Sequence, residues 1–238
     1  MVTANIIQRV FLVNSSTGSG TGFTIEHNGT QYLISARHIF EPDWDYDVRN
    51  LKDRQEITIS IYRDNEWVEL NSIIYLSDNK DVDVIIFSLE KDLSPRHPIS
   101  YDYKGLVQGQ SMFFLGFPYG KFFPDKFNIN SKFPIPFVKK AICSTLQISR
   151  NDGWVFYLDG HTNPGFSGGP IVFFDFESRG LKIAGVMRGC LPHEGQVPFE
   201  QVNEEGELER QTIIYDENSG IIIIQAFEEV RKILLKIK

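Results

Sequence analysis

One serine of the chain has the neighbours that a nucleophile needs. Ser167 lies in the sequence GFSGGP at residues 165–170, between a polar stretch and an apolar one. Glycine at 165 lets the backbone turn so that the N–H groups of Gly165 and Ser167 converge, and the glycines after the serine leave the approach of a carbonyl open. Such converging donors each stabilise an oxyanion by about 3–4 kcal/mol. The motif predicts acyl-transfer chemistry, with a glycine-rich turn as the alternative.

A serine nucleophile needs a base, and the base needs a group that orients it. Among the five histidines, His38 follows the apolar stretch YLISAR, where an imidazole ring can emerge into a cleft. Asp83 begins the apolar stretch DVIIFSL, where burial would shield a carboxylate, and Asp81 is a nearby competitor. Each has a plain alternative, because a lone histidine after a strand commonly has a structural role and an aspartate there is commonly a turn residue.

The elements that must position these residues are strands. Short β-branched and aromatic runs, separated by Gly, Asn, Asp and Pro, recur about every ten residues. We predict an all-β fold of two packed six-stranded antiparallel barrels, residues 1–103 and 104–238, with a C-terminal α-helix in Ala226–Lys238. The predicted strands are Ile6–Val13, Phe23–Glu26, Gln31–Ser35, Ile57–Arg63, Trp67–Tyr75, Val82–Leu89, Ser111–Gly116, Lys139–Ile148, Trp154–Leu158, Pro170–Phe174, Lys182–Met187 and Gly220–Gln225.

Two segments interrupt the strand pattern. Lys121–Phe137 is rich in Phe and Pro, and it is interpreted as a loop that either packs on a barrel as a small cluster or acts as a gate or docking lid. Leu191–Gln211 is acidic, and it is interpreted as a solvated loop, with attraction of a basic substrate or partner as the alternative.

Composition excludes several functional classes. The 238 residues are 42% hydrophobic and carry 24 basic and 31 acidic side chains, a net charge of −7, which disfavours disorder and nucleic-acid binding. Cys143 and Cys190 lack CxxC spacing, which argues against a zinc ribbon and a disulfide scaffold, and free thiols are favoured over a bridge. Neither a signal peptide nor a run of 18 apolar residues is seen, so we expect a cytoplasmic protein with no membrane partner.

The local sequences together resemble the trypsin-like (chymotrypsin-fold) serine peptidases. LISARHIF at 33–40, DVIIFSL at 83–89 and GFSGGPIV at 165–172 follow in the family's order, which favours Asp83 over Asp81. The resemblance covers nearly the whole chain and is greatest to the bacterial Deg, or high-temperature-requirement, branch. It rests there on GSGTGF at 18–23, FLGFP at 114–118 and SGIIII at 219–224.

The resemblance implies a serine endopeptidase that acts on protein or peptide substrates without a metal or cofactor. His38 would be the base, Asp83 its orienting acid and Ser167 the nucleophile, and the N–H groups of Gly165 and Ser167 would form the oxyanion hole. Phe166 stands where zymogen-type relatives have an aspartate that pairs with a newly cut amino terminus. Activation by N-terminal cleavage is therefore not expected.

The implied substrate pocket consists of His161, Thr162, Arg188 and Gly189. His161 lies where this fold builds the floor of the pocket. Because His161 is not an acid, cleavage after Arg or Lys is disfavoured. The alternative interpretation is that His161 is a polar loop residue. The strand around Arg188 would pair with substrate backbone, and the Arg188 side chain would reach either Asp83 or a substrate acid.

A peptidase latent until a partner orders its oxyanion loop is the alternative function. Deg relatives usually carry a peptide-binding PDZ domain after the protease, and this sequence ends at Lys238, just after the predicted helix. The missing PDZ domain and the two inserted segments motivate this alternative, in which the chain is an effector or interaction module with a regulatory protein partner.

Overall fold

A computed structural model describes residues 1–16, 18–41, 51–126, 130–146, 148–202 and 208–237. The helices among them are α1 (Ala4–Ile7) and α2 (Phe227–Leu234). The strands are β1 (Val10–Asn14), β2 (Ser19–His27), β3 (Thr30–Ser35), β4 (Glu56–Arg63), β5 (Glu66–Leu76), β6 (Ile85–Ser88), β7 (Ser100–Tyr101), β8 (Ser111–Gly116), β9 (Phe137–Cys143), β10 (Ile148–Arg150), β11 (Gly153–Asp159), β12 (Pro170–Asp175), β13 (Gly180–Val202) and β14 (Leu208–Ala226).

The first six strands close into a barrel in the order β1-β2-β3-β6-β5-β4. The β2–β3 hairpin turns at Asn28 and Gly29, whose φ angles of 49° and 79° suit the Asn-Gly type I′ turn. Strand β3 pairs with β6 through Ser35 and Ile85. The chain segments that leave β3 and enter β6 therefore lie side by side at one end of the barrel.

The second sheet forms a ring of six strands, β11-β14-β13-β12-β8-β9, which closes through pairing of β9 with β11. Strand β10 extends this sheet beside β11, and β7 pairs in parallel with β13. The predicted pair of six-stranded antiparallel barrels with a C-terminal helix is thus confirmed. The domain boundary at residues 103 and 104 stays a prediction.

One apolar cluster joins both sheets and helix α2. Phe23 and Val84 enter it from the first barrel, Leu115 and Val172 from the second, and Phe227 from the helix, each at most 1% exposed. The apolar residues of helix α2, which are Phe227, Val230, Ile233 and Leu234, all belong to this cluster. Separate clusters fill the interior of each barrel.

The structure corrects three predicted segments. Ile6 and Ile7, predicted to begin a strand, are helical as part of α1, because the carbonyl oxygen of Thr3 accepts hydrogen bonds from their N–H groups at 3.0 and 3.2 Å. The predicted strand Lys139–Ile148 is divided into β9 and β10. The segment Leu191–Gln211, predicted as a loop, is largely strand.

This segment belongs to a two-stranded ribbon, residues 191–202 of β13 and 208–219 of β14. Its register pairs Val197 with Ile213 and Gly195 with Tyr215. Because side chains alternate between the faces of a strand, Val197, Ile213 and Tyr215 share one face. They are 46%, 53% and 42% exposed. Residues 203–207 of the predicted loop lie outside the described residues.

The aromatic segment 121–137 packs against the first barrel where it is described. Phe133 is 3% exposed, and its ring centroid lies 4.7 Å from that of Phe11. Phe122 lies 4.7 Å from Tyr62. These contacts fit the interpretation as a small packed cluster; residues 127–129 lie outside the described part of the segment.

Candidate active site

His38 and Asp83 meet at the end of the first barrel where β3 ends and β6 begins. His38 lies in a short 3-10 turn after β3, and its ring Nδ1 is 2.7 Å from Oδ2 of Asp83. Its backbone N–H donates to Oδ1 of the same carboxylate at 2.9 Å. Both carboxylate oxygens therefore hold one residue, which fixes the imidazole ring. Asp81, the competitor, instead donates its N–H to Asn79 in a turn.

The surroundings of Asp83 keep it ionised. The side chain is 1% exposed, and this burial alone would raise its pKa. The charge of His38, the hydrogen bonds from its ring and backbone, and the charge of Arg188 together outweigh burial and hold the pKa of Asp83 below its ordinary value. A buried carboxylate that stays ionised can stabilise a protonated imidazole.

The nucleophile loop, residues 161–169, docks on the first barrel through Thr21 of β2. The N–H of Thr21 donates to the carbonyl oxygen of Ser167 at 2.9 Å, and its hydroxyl donates to the carbonyl oxygen of Gly165 at 2.7 Å. Gly168 comes so close that a Cβ there would lie 2.8 Å from the backbone nitrogen of Ala36, two residues before His38. The loop thus brings Ser167 to the barrel end that carries His38.

The peptide bond before Gly165 has a defined orientation. The carbonyl oxygen of Pro164 accepts a hydrogen bond from the N–H of Tyr119 at 2.7 Å. Because the carbonyl and N–H of a trans peptide point in opposite directions, the N–H of Gly165 points away from Tyr119. Among the described residues, the N–H groups of Gly165 and Ser167 have no acceptor. Both donors are therefore available to a ligand oxygen.

The hydroxyl of Ser167 donates to the carbonyl oxygen of Arg188 at 3.3 Å. Ser167 is partly exposed, and His38 has 18% of its side chain exposed. Both side chains are therefore accessible from solvent.

The Arg188 side chain forms an ion pair behind Asp83. Its guanidinium contacts the carboxylate of Asp152, and the side chains are 11% and 17% exposed. Buried Gln225 connects this pair to the site, because its Oε1 accepts from the N–H of Asp83 at 3.2 Å and its Nε2 donates to the carbonyl oxygen of Asp152 at 3.0 Å. The sequence predicted that the Arg188 side chain reaches either Asp83 or a substrate acid. Among the described residues Arg188 forms no ion pair with Asp83, although its charge lowers the pKa of Asp83. The ion pair of Arg188 with Asp152 was not predicted.

The other predicted pocket residues occupy different environments. The His161 side chain is exposed, whereas Thr162 is 5% exposed and its hydroxyl has no partner in the described part of the chain. The carbonyl oxygen of Thr162 accepts a hydrogen bond from Asn218 at 2.8 Å. Gly189 pairs with Ile223 of β14 on one side.

Comparison with known proteins agrees with this geometry. The family described as "Trypsin-like peptidase domain" matches residues 20–180, more than half of the 238 residues. The chain belongs to the trypsin-like peptidase family. It is therefore a serine peptidase, and the matched region includes His38, Asp83 and Ser167.

Solved structures of proteases have the same fold as this peptidase. The Rv3671c protease in an inactive form, a protein of M. tuberculosis, shares 16% sequence identity over 98% of this chain and 91% of its own, with a TM-score of 0.59. The HtrA-type protease AlgW with a tripeptide shares 14% over 98% of this chain and 61% of its own, with a TM-score of 0.59. No curated protein matches the peptidase in sequence. None of its described helices is long and apolar enough to cross a membrane.

Three residues that form hydrogen bonds between distant segments at the site were not predicted from the sequence of the peptidase. Thr21 was part of the GSGTGF motif, which carried the family resemblance without a role for the threonine. Gln225 and Asp152 had no local signal, because Gln225 lies 142 positions from Asp83 and Asp152 lies 36 positions from Arg188. Two cysteines considered for a bridge are free thiols, and burial raises the pKa of the Cys143 thiol.

Proposed function

We propose that the peptidase is an endopeptidase that cleaves peptide bonds through His38, Asp83 and Ser167, with an acyl-enzyme intermediate. The observation that carries the proposal is the double contact of His38 with the Asp83 carboxylate, at 2.7 Å from Nδ1 and 2.9 Å from the backbone N–H. It leaves Nε2 as the ring nitrogen that can accept a proton.

In this mechanism His38 removes the hydroxyl proton as Ser167 Oγ attacks the scissile carbonyl carbon. Asp83 holds the Nδ1–H tautomer and stabilises the imidazolium that forms. The N–H groups of Gly165 and Ser167 donate to the oxyanion of the tetrahedral intermediate. His38 then protonates the leaving amine, and water, deprotonated by His38, hydrolyses the acyl-enzyme.

A polypeptide substrate is supported by the edge of β13 beside Ser167, where residues 188–190 pair with no second strand among the described residues. Residues 188–190 follow the point where Met187 exchanges hydrogen bonds with Gly168 and Gly169, and Gly189 and Cys190 pair with β14 on their other side. An extended peptide adds to such an edge through backbone hydrogen bonds. Cleavage after Arg or Lys is not expected, because His161 supplies no acid at the pocket floor.

A fluorophosphonate probe tests the proposal, because it phosphonylates an activated serine without requiring a known substrate. We expect the wild-type chain to be labelled, and Ser167→Ala to abolish labelling. His38→Ala should lower the labelling rate by orders of magnitude, up to about 10⁶-fold. Ser111→Ala, which changes an exposed serine of β8, is the matched control and should be labelled like the wild type. An unlabelled wild-type chain would contradict the proposal.

The substrate preference needs a separate measurement. Cleavage of a proteome-derived peptide library should give products whose new carboxyl-terminal residue is seldom Arg or Lys. A dominance of those residues would show that the interpretation of His161 is wrong while leaving the peptidase mechanism intact.

A further inference from the structure

Lys139 is a charged residue on the inward side of a barrel strand. Along β9, residues 137, 139, 141 and 143 are the more buried set, and residues 138, 140 and 142 are exposed. Ala141 and Cys143, its neighbours on the inward side, are 3% and 1% exposed. A cation in this position needs partners from the protein, because burial of an unpaired charge is costly.

The ammonium group finds these partners at the nucleophile loop. Nζ of Lys139 donates to the carbonyl oxygen of His161 and to Oδ1 of Asn163, the latter at 3.2 Å. It also lies 5.7 Å from the ring centroids of Phe114 and Phe166, within the range of a cation–π interaction. None of the ion pairs found among the described residues includes Lys139.

These contacts connect the beginning of the loop to the residue before the nucleophile. The ring of Phe166 packs edge-on against Phe114 with centroids 5.0 Å apart, and its N–H donates to the carbonyl oxygen of Asn163 at 3.3 Å. One ammonium group therefore contacts His161, Asn163 and Phe166, on both sides of the peptide bond that presents the Gly165 N–H.

We propose that Lys139 is a positioning residue that holds the nucleophile loop in the arrangement needed for catalysis. It acts through the loop and does not touch the substrate. Burial lowers the pKa of Lys139, which agrees with its removal from water. The inference rests on the proposed function, because the position of the loop matters to catalysis only if Ser167 is the nucleophile.

Variants of Lys139 in the 238-residue chain separate its roles. Lys139→Met removes charge and donors, Lys139→Gln keeps donors, and Lys139→Arg keeps both. We expect the Met variant to lower the maximal rate of fluorophosphonate labelling at least about tenfold, because fewer molecules have a competent loop. The Arg variant should recover part of the rate. Lys140→Met, on the exposed side of the same strand, is the matched control and should change the rate less than twofold.

Amide hydrogen exchange gives a second measurement that does not depend on activity. Exchange of the amides of residues 162–169 should be faster in Lys139→Met than in Lys140→Met, while the amides of the first barrel stay unchanged. If the Met variant does not fold, the Gln variant is compared with Lys140→Gln in the same way. Normal labelling with normal exchange would overturn the inference. An unlabelled wild type would contradict the proposed function, and the exchange comparison would still decide whether Lys139 orders the loop.

Discussion

At the scale of single residues, the Asp83 carboxylate determines in the proposed mechanism which His38 nitrogen acts as the base. Asp83→Asn replaces one acceptor oxygen by an NH₂ donor. If that donor faces Nδ1, the ring proton moves to Nε2, which can then no longer take the proton of Ser167. We expect the fluorophosphonate labelling rate to fall about 10⁴-fold. Asp81→Asn, two residues away, should be labelled like the wild type, and an equal loss in both variants would contradict this role.

The same carboxylate gives the folded protein a dependence on pH. The pKa of Asp83 lies below its ordinary value of 3.8 in the folded chain. The unfolded chain therefore binds the proton more tightly, so the stabilisation is complete only above about pH 5 and is lost as the pH falls through the folded pKa. Urea unfolding of the wild type and Asp83→Asn should give a difference in unfolding free energy that narrows as the pH falls from about 5 to about 3. A constant difference would show that Asp83 does not contribute through its charge.

Gly165 is required at its position for steric and conformational reasons. Its φ is +98°, and a Cβ there would lie 2.3 Å from the carbonyl oxygen of Phe117. Gly165→Ala should therefore displace the oxyanion donor and lower labelling by about a hundredfold or more. Gly109→Ala is the control, because its φ is +83° and nothing lies within 4 Å of the added Cβ. Equal labelling of the two variants would argue against an oxyanion role.

Local sequence was sufficient to propose His38, Asp83 and Ser167 for the site, because each lies beside an apolar run with a distinctive neighbour. It was not sufficient for Lys139, whose partners come from another segment. The alternation of buried and exposed side chains along β9, which places Lys139 inward, can be recognised only once the register of β9 against β8 is known. Interactions between distant segments are therefore the part of the site that the sequence leaves open.

At the scale of elements, the ribbon extends directly from the strand that carries Arg188 and Gly189. Its proline and glutamate residues favoured a loop, because Pro, and to a lesser degree Glu, are unfavourable in strands taken alone. Pairing across the ribbon overrides this preference, from Pro192 with Asn218 to Val202 with Leu208. Such pairing is not local in sequence, which explains why the prediction was wrong.

The ribbon contributes no buried residue at positions 191–201 and 208–219. Replacing residues 193–217 by an Asn-Gly turn, which would join Pro192 to Asn218, should therefore leave the free energy of unfolding within about 1 kcal/mol of the wild type. Urea unfolding measures this, and labelling of Ser167 reports whether the site survives. A large loss of stability would mean that the ribbon packs against the barrels.

At the scale of the whole molecule, the cluster shared by both sheets and helix α2 makes the fold one cooperative unit. Phe227 is 1% exposed in this cluster, and its ring centroid lies 4.8 Å from that of Tyr101. Phe227→Ala should destabilise the protein by about 3–5 kcal/mol. Circular dichroism and tryptophan fluorescence should show a single coincident transition in urea. Leu235→Ala, at a side chain that is 71% exposed just after the helix, should change little. Two separate transitions would contradict a shared core.

Because the nucleophile loop docks on Thr21 of the first barrel, labelling of Ser167 also reports whether the two barrels are correctly assembled. His38 and Asp83 belong to one barrel and Ser167 to the other, so under the proposed function Ser167 is reactive only in molecules whose two barrels have come together. A stoichiometric active-site titration therefore counts correctly assembled molecules rather than total protein, and the labelled fraction of a preparation is a direct measure of its folding yield.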